Sequence, residues 1–311
     1  MSITTSDGHV DTTSTRAIVM KTTDGAKRPK RRRRVSKLNR PSPIANIIAL
    51  VFCVFWAFPI YWMVKTAFTP RRDALQSTPQ FIPTNPTLDN FYTAIFQAGF
   101  FDNLKSSLIV VTGAVVFAIV TGLFAAAALS RFRFRGRRTI LVAILVIQMI
   151  PGGATLIPQY LVFNETGLLG TYFGLILAYV SATLPFSIWM MRSFFLALPA
   201  ELEEAAQIDG ASTWQVLTRI LFPLVLPGVL ATSVFTFMNA WNDYLIAYTF
   251  MKDQTMYTLP VWLSSFSSPV TGTDVSGQMA ASVLFSLPVV VFFVLLQRKL
   301  VTGMTAGAVK G

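Results

Sequence analysis

The sequence predicts an all-α polytopic membrane protein with six transmembrane helices. Of its 311 residues, 53 % are hydrophobic and only 13 % are charged, whereas an ordinary soluble domain is about 25 % charged. The apolar residues fall in runs of about 20, the length that a helix needs to cross about 30 Å of hydrocarbon. The predicted spans cover residues 44–64, 107–129, 139–157, 171–191, 221–247 and 278–296.

The composition excludes several kinds of chemistry. One cysteine, Cys53, rules out an internal disulfide and a CxxC zinc or redox site. The single histidine, His9, lies in a polar tail and argues against His-based catalysis inside the membrane. The sequence also lacks the GxxxxGK[ST] phosphate loop. We therefore expect no catalytic site, no metal site and no cofactor in this chain, which is not predicted to be an enzyme.

The distribution of basic residues predicts the orientation. With six spans both ends lie on one side, and that side holds 21 Lys and Arg residues against 5 on the other. Cytoplasmic loops carry the excess of positive charge, so both termini are predicted to be cytoplasmic. We expect a disordered basic tail over residues 1–43, a six-helix transmembrane domain over 44–300, and a cytoplasmic C-terminal tail over 301–311.

Two basic stretches raise the question of nucleic acid. The N-terminal tail contains four consecutive arginines, residues 31–34, and the loop after the second span reads RFRFRGRR. A basic block beside a membrane span usually contacts anionic lipid. In the loop we expect the Phe rings at the lipid boundary and the Arg side chains at the headgroups. Membrane lipid, and not nucleic acid, is the predicted partner of both.

Helix breakers within the spans suggest a transport pathway. Residues 151–153 read Pro-Gly-Gly inside span three, while Pro185 and Pro288 lie in spans four and six. Broken backbone at membrane depth survives only where protein or a water-filled cavity satisfies the freed polar groups.

The loop between spans four and five is the most informative segment. Pro199 and three glutamates suit the first turn of a short helix, with Leu202, Ala205 and Ala206 on one face. Gly210 then ends that helix as a left-handed cap. Ser212 with Gln215 predicts a capping box for a second short helix. From spacing alone, an interfacial hairpin at the membrane surface remains an equal alternative.

This loop resembles the signature loop of the permease subunits of ATP-binding-cassette (ABC) importers. The matching residues are Glu204-Ala205-Ala206, Gly210, Ile220 and Phe222-Pro223, where Phe222 replaces the usual Leu. Further stretches resemble maltose-type sugar permeases, in particular the second permease of each pair. They are residues 198–203, Asp209-Gly210-Ala211-Ser212, Trp241-Asn242-Asp243 and 305–311.

The resemblance implies a division of labour. It implies a second, different permease, two ATP-binding subunits that hold ATP and Mg, an extracytoplasmic sugar-binding protein and a sugar substrate, in a multi-pass cell membrane complex. In the family this loop forms a coupling helix that sits in a cleft of the ATPase. The residues assigned to coupling by this resemblance are Glu204, Ala205, Ala206, Asp209, Gly210 and Ala211.

Span five carries the candidate substrate groups. Asp243 is the only carboxylate within a predicted span, and an ionisable residue there is a site hypothesis by default. Its neighbours Asn239, Trp241, Asn242 and Tyr244 could bind sugar hydroxyls and stack on sugar faces. Alternatively, Asp243 caps a neighbouring helix and Trp241 belongs to the interfacial aromatic belt.

Two other functions remain open from the sequence. An ion-coupled secondary transporter would need intramembrane ionisable groups, usually paired. An ABC permease for a polyol or glycerol phosphate would, in the phosphate case, need Arg or Lys in the cavity, and the predicted spans contain neither. The predicted function is therefore a sugar permease, for a disaccharide or small oligosaccharide.

Overall fold

The computed structural model describes residues 43–74, 76, 80–268 and 272–308 as helices joined by short connections. Four membrane-length helices and two bent helix pairs come from six stretches of the described sequence, and the shorter helices flank them. The α-helices are α1 (Pro43–Ala67), α2 (Asp89–Tyr92), α3 (Phe100–Arg131), α4 (Arg137–Gln148), α5 (Gly152–Glu165), α6 (Tyr172–Leu196), α7 (Glu201–Ile208), α8 (Thr213–Gln215), α9 (Phe222–Leu224), α10 (Leu226–Asn242), α11 (Leu245–Phe250), α12 (Leu259–Ser264) and α13 (Val275–Ala308). Two π-helical turns (Thr93–Gln97, Val216–Leu221), a 3-10 turn (Gln254–Met256) and a hairpin of β1 (Ser267–Ser268) with β2 (Gly272–Thr273) complete the described elements.

The chain divides into two compact units, Met1–Phe52 and Cys53–Gly311. In the first unit the described residues are 43–52, which begin α1 and expose their side chains. The predicted basic tail otherwise lies outside the described residues. All contacts given below lie within the second unit.

Helices α3 and α6 form the centre of the second unit and run parallel. Contacts between them keep one register along their whole length. Ser106 and Tyr172 share a hydrogen bond of 2.9 Å near the two starts, and Arg131 at the end of α3 reaches the Phe195 carbonyl at the end of α6. Ala114, Ala118 and Ala126 of α3 are fully buried, and small residues let helix backbones approach closely.

Helix α10 packs antiparallel to this pair, and α13 packs against α10. Gly228, at the start of α10, lies against the Phe194 ring near the end of α6. At the other end of α10, the Asp243 carboxylate meets Tyr179. The Phe237 and Phe292 rings stack with centroids 3.8 Å apart, and Trp241 stacks on Phe285. These aromatic contacts fill the core between α10 and α13.

In the described residues, the connections before α3 and between α11 and α13 contain short helices of their own. Asn90 of α2 donates two hydrogen bonds to the carbonyls of Ala67 and Thr69. In α12, the Leu259 amide donates to Ser107 Oγ and Trp262 Nε1 donates to the Ala98 carbonyl. The first connection therefore folds back on the end of α1, and the second packs onto the start of α3.

Two predicted spans are broken in the structure. Within the described residues, four helices are long and apolar enough to cross a membrane, and the two bent pairs raise that number to six if each counts as one span. The span predicted over 139–157 divides into α4 and α5, which meet at 104° across residues 149–151. The Pro-Gly-Gly stretch explains that break, because Pro151 precedes α5 and cannot continue the ladder of α4.

The span predicted over 221–247 is interrupted twice. Residues 213–224 meet α10 at 67°, and α10 ends at Asn242 before α11 begins at Leu245. By contrast, Pro185 and Pro288 lie inside continuous helices α6 and α13. The expectation that they break their spans is wrong. The predicted all-α membrane fold is confirmed, with the short hairpin as an addition.

Close packing at Gly228 gives a stability test. A Cβ added there would lie 2.6 Å from Phe194 Cδ2 and 2.8 Å from Phe194 Cγ. Because Cγ is the ring atom bonded to Cβ, a small rotation of the Phe194 ring cannot relieve this clash. Overpacking of this kind costs about 1–3 kcal/mol. We expect Gly228→Ala to lower the thermal midpoint of the detergent-solubilised protein.

The matched control is Gly153→Ala in α5, where an added Cβ meets nothing within 4 Å. There the higher helix propensity of Ala is worth up to about 1 kcal/mol. Equal thermal midpoints for the two variants would contradict the close packing of α6 on α10.

Candidate functional site

A helix–turn–helix lies between α6 and α10. Helix α7 follows Pro199 and ends in a Schellman motif: the Gly210 amide donates to the Gln207 carbonyl and the Ala211 amide to the Ala206 carbonyl. Gly210 has φ +85°, so its conformation is left-handed. The capping box of α8 joins the Ser212 amide to Gln215 Oε1 at 2.8 Å, and the Gln215 amide to Ser212 Oγ. The short helices, left-handed glycine and capping box are therefore present as the sequence predicts.

The inner side of this loop packs on the ends of α3 and α6. Ala206, Val216 and Leu221 are buried in one cluster with Ala126 and Phe195. The Trp214 ring stacks on Phe124 of α3 with centroids 5.9 Å apart. These contacts attach the loop to the ends of α3 and α6.

The outer side of the loop exposes apolar and acidic groups together. Ile208 is 86 % exposed, Trp214 59 % and Leu202 41 %. The coupling candidates Glu204, Ala205, Asp209 and Gly210 are exposed, and Ala211 is half-buried. The three residues expected on one face of α7 differ in environment, since Leu202 and Ala205 are exposed. Only Ala206 is buried, because an eight-residue helix lying on a bundle buries one narrow strip.

Arginines bind the carbonyls at the ends of α3 and α6. Arg131 Nη2 donates to the carbonyls of Phe195 (2.8 Å) and Leu198 (3.2 Å). In the opposite direction, Arg192 of α6 donates to the Leu129 carbonyl. Arg131 Nε also lies 2.8 Å from Glu203 Oε1 of α7.

The prediction that the arginines of the RFRFRGRR loop reach the lipid headgroups is therefore wrong for Arg131, whose side chain binds the end of α6 and the start of α7. Sequence reasoning missed this contact because the partners are about 65 positions apart and no local pattern links them. Arg133, Arg135 and Arg138 are exposed, and the Phe132 and Phe134 side chains are each 43 % exposed.

A cavity of about 850 Å³ opens beside α5, α6 and α10. Its polar wall contains Gln159, Ser181, Asn239 and Asp243, and Gln159 Nε2 donates to Ser181 Oγ at 3.0 Å. Residues 152 and 153, at the bend between α4 and α5, also line it. Among the described residues that line this cavity, none is Lys or Arg.

The structure separates the five substrate candidates of span five. Asn239 and Asp243 line the cavity, whereas Trp241, Asn242 and Tyr244 do not. Trp241 is 1 % exposed and stacks between Phe237 and Phe285, so it is a core residue here. The alternative that Trp241 belongs to the interfacial aromatic belt does not fit either, because the side chain is buried in the protein.

Asp243 closes the break between α10 and α11. Its Oδ2 accepts the Ala247 amide at 3.0 Å and the Tyr179 hydroxyl at 2.9 Å. These bonds match the capping alternative, because they satisfy polar groups that the helix break would otherwise leave unpaired. The carboxylate therefore has a structural task and still faces the cavity.

Comparison with known proteins gives consistent relatives. The chain is 41 % identical over 266 residues to the diacetylchitobiose uptake system permease protein DasC of Streptomyces coelicolor, covering 86 % of this chain and 96 % of the relative. It is 33 % identical to the trehalose transport system permease protein SugB of Mycobacterium tuberculosis, covering 81 % and 92 %.

The fold matches a crystal structure of a bacterial ABC transporter involved in import of the acidic polysaccharide alginate. The TM-score is 0.73 at 23 % identity, covering 85 % of this chain and 98 % of the other. Residues 118–306 match the family described as binding-protein-dependent transport system inner membrane components. With these relatives and this fold, the chain belongs to that family of ABC importer permease subunits.

Proposed function

We propose that this chain is the permease subunit through which a neutral sugar crosses the membrane, driven by ATP that partner subunits hydrolyse. One observation carries the proposal: a rigid two-helix loop packs on the ends of α3 and α6 and presents an exposed face to a partner. The relatives transport diacetylchitobiose and trehalose by name, which supports a disaccharide or small oligosaccharide as the substrate.

The exposed face of α7 is the proposed contact with an ATP-binding subunit. Ile208 and Leu202 supply apolar surface, and Glu204 supplies charge beside Ala205, whose small side chain allows close approach. We assign Glu204, Ala205, Ala206, Asp209, Gly210 and Ala211 to coupling, with Ala206 as the buried contact on the inner side. ATP and Mg would be held by two such subunits and not by this chain.

The remaining partners follow from the family. Membership in a binding-protein-dependent system supports an extracytoplasmic binding protein, and the folded connection over residues 248–277 is the proposed docking region. A second permease would complete the pathway. Exposed apolar residues such as Val116 and Val120 of α3 offer surface for that subunit or for lipid.

The cavity beside α5, α6 and α10 is the proposed sugar pathway. Amide and hydroxyl groups from Gln159, Ser181 and Asn239 can exchange hydrogen bonds with sugar hydroxyls. Without Lys or Arg in the described lining, a phosphate or uronate would meet the Asp243 carboxylate and no cation. This disfavours glycerol phosphate as the substrate.

Both termini are proposed to be cytoplasmic in a multi-pass inner membrane protein. The excess of basic residues on that side supports this orientation. A reporter fused to the C terminus that is active only in the cytoplasm should therefore be active. A fusion after residue 85, in the first outer connection, should be silent, and the reverse pattern would contradict the orientation.

Replacement of Gly210 tests the coupling role. A valine at φ +85° strains the backbone by about 1–2 kcal/mol or more, although nothing lies within 4 Å of the added Cβ. In a reconstituted complex, we expect Gly210→Val to insert normally and to lose sugar-stimulated ATP hydrolysis.

Gly136→Val is the matched control, because Gly136 has φ +88°, equally open space, and a position in the predicted cytoplasmic loop before α4. It carries a similar strain outside the proposed coupling loop. Retained stimulation in Gly210→Val, or equal losses in both variants, would remove the coupling assignment.

Two asparagines of α10 test the pathway. Asn239 and Asn242 are both exposed, and each donates Nδ2 to a carbonyl four residues earlier, at 2.9 and 2.8 Å. Only Asn239 lines the cavity. Loss of one hydrogen bond between the Asn239 amide and the sugar costs about 1 kcal/mol. Asn239→Leu should therefore raise the KM for sugar uptake about fivefold.

Asn242→Leu should leave that KM unchanged. The assay is uptake into proteoliposomes that contain ATP and no ion gradient, with a neutral disaccharide and an oligouronate as competing substrates. Uptake that depends on an ion gradient would favour the secondary transporter. An equal effect of the two substitutions would exclude this cavity as the pathway.

A further inference from the structure

We infer that Arg131 is a positioning residue that locks the coupling helix α7 to the ends of α3 and α6, so that a pull on α7 reaches the membrane core. This role rests on the proposed coupling function of α7. It assigns a task to an arginine that the sequence motif of the loop does not include.

The geometry brings three helix ends to one guanidinium. Arg131 belongs to the last turn of α3, and its Nη2 donates to the carbonyls of Phe195, in the last turn of α6, and of Leu198 just after that helix. Its Nε lies 2.8 Å from Glu203 Oε1 in the first turn of α7. The Arg131 and Glu203 side chains are only 15 % and 20 % exposed. The pair is therefore shielded from the salt and water that weaken surface ion pairs.

The charges suit the helix ends they occupy. A guanidinium at the C-terminal end of α6 and a carboxylate in the first turn of α7 each face the favourable pole of the helix dipole. Arg192 and Arg137 bind carbonyls at the end of α3, at Leu129 and Ser130. Helices α3 and α6 thus bind each other's ends, and Glu203 attaches α7 to that joint.

The two faces of α7 then have different tasks. Glu203 and Ala206, three residues apart, face the bundle, while Glu204 and Ala205 are exposed. A partner that binds the exposed face of α7 can move α3 and α6 only if the buried face of α7 stays fixed to those helices. Apolar contact through Ala206 resists separation but has no directional bond. The Arg131 guanidinium supplies directional bonds to the Phe195 and Leu198 carbonyls. It holds Glu203 by close charge attraction, since Arg131 Nε and Glu203 Oε1 lie 2.8 Å apart without a hydrogen bond.

Three variants and one control test this role in the assembled complex with its partner subunits. Arg131→Gln removes the charge, Glu203→Gln removes the ion pair but leaves the carbonyl bonds, and Arg131→Lys keeps the charge without the planar fork. Arg133→Gln is the control, because Arg133 lies two residues away and is exposed. The readouts are co-purification of subunits, ATP hydrolysis, and sugar transported per ATP.

Coupling free energies between sites commonly correspond to about 5–150-fold effects, so sugar transported per ATP should fall about tenfold in Arg131→Gln and Glu203→Gln. ATP hydrolysis should continue and the subunits should still co-purify. Arg131→Lys should fall in between, since one ammonium cannot serve all three acceptors. Arg133→Gln should keep the wild-type ratio. A role in folding alone would lower assembly, hydrolysis and uptake together and leave the ratio unchanged.

An unchanged ratio in Glu203→Gln overturns the inference, as does a complex that fails to assemble with both Arg131→Gln and Glu203→Gln. If only Arg131→Gln fails to assemble, Glu203→Gln decides. Failure of the proposed function looks different: the wild-type complex itself would show no ATP-driven uptake, or Gly210→Val would keep full stimulation. If the wild-type complex couples ATP hydrolysis to uptake and Glu203→Gln keeps the wild-type ratio of sugar transported per ATP, only this inference is wrong and the proposed function stands.

Discussion

The close, parallel packing of α3 on α6 is the constraint on which the rest of the structure depends. Fully buried alanines of α3 allow the two backbones to approach, and Gly122 lies against Ser187 and Met191 of α6. Without a hydrophobic driving force between helices in lipid, such close van der Waals contact is a principal source of helix association. Helix α10, the loop that carries α7 and α8, and helix α12 all pack on this pair.

Because the pair keeps one register, its two ends have different chemistry. At the starts of the two helices, polar contacts of Ser106 and Ser107 join α3 to Tyr172 and Leu259. At their C-terminal ends, arginines satisfy the final carbonyls of α3 and α6, and Arg131 meets Glu203 of α7. Between the two ends lies the cavity beside the broken helices. The loop that carries α7 and the cavity wall therefore both attach to α6.

The broken helices show how one feature serves both stability and function. The interruptions at residues 149–151 and 243–244 fall within predicted spans, where a broken helix is tolerated only beside protein or a cavity. At the second break, the Asp243 carboxylate accepts hydrogen bonds from the Ala247 amide and the Tyr179 hydroxyl. Asp243 also lines the cavity, so one carboxylate both caps the helix break and forms part of the cavity wall.

The sequence by itself determined the membrane class, the apolar stretches that form the spans and the local geometry of the coupling loop. These depend on hydrophobicity, helix length and capping, which are local properties. Only the tertiary structure decided that Trp241 is core, that Asn239 faces the cavity and that Arg131 meets Glu203. Those outcomes depend on which helix lies beside which, and in an apolar span every face of the helix has nearly the same composition.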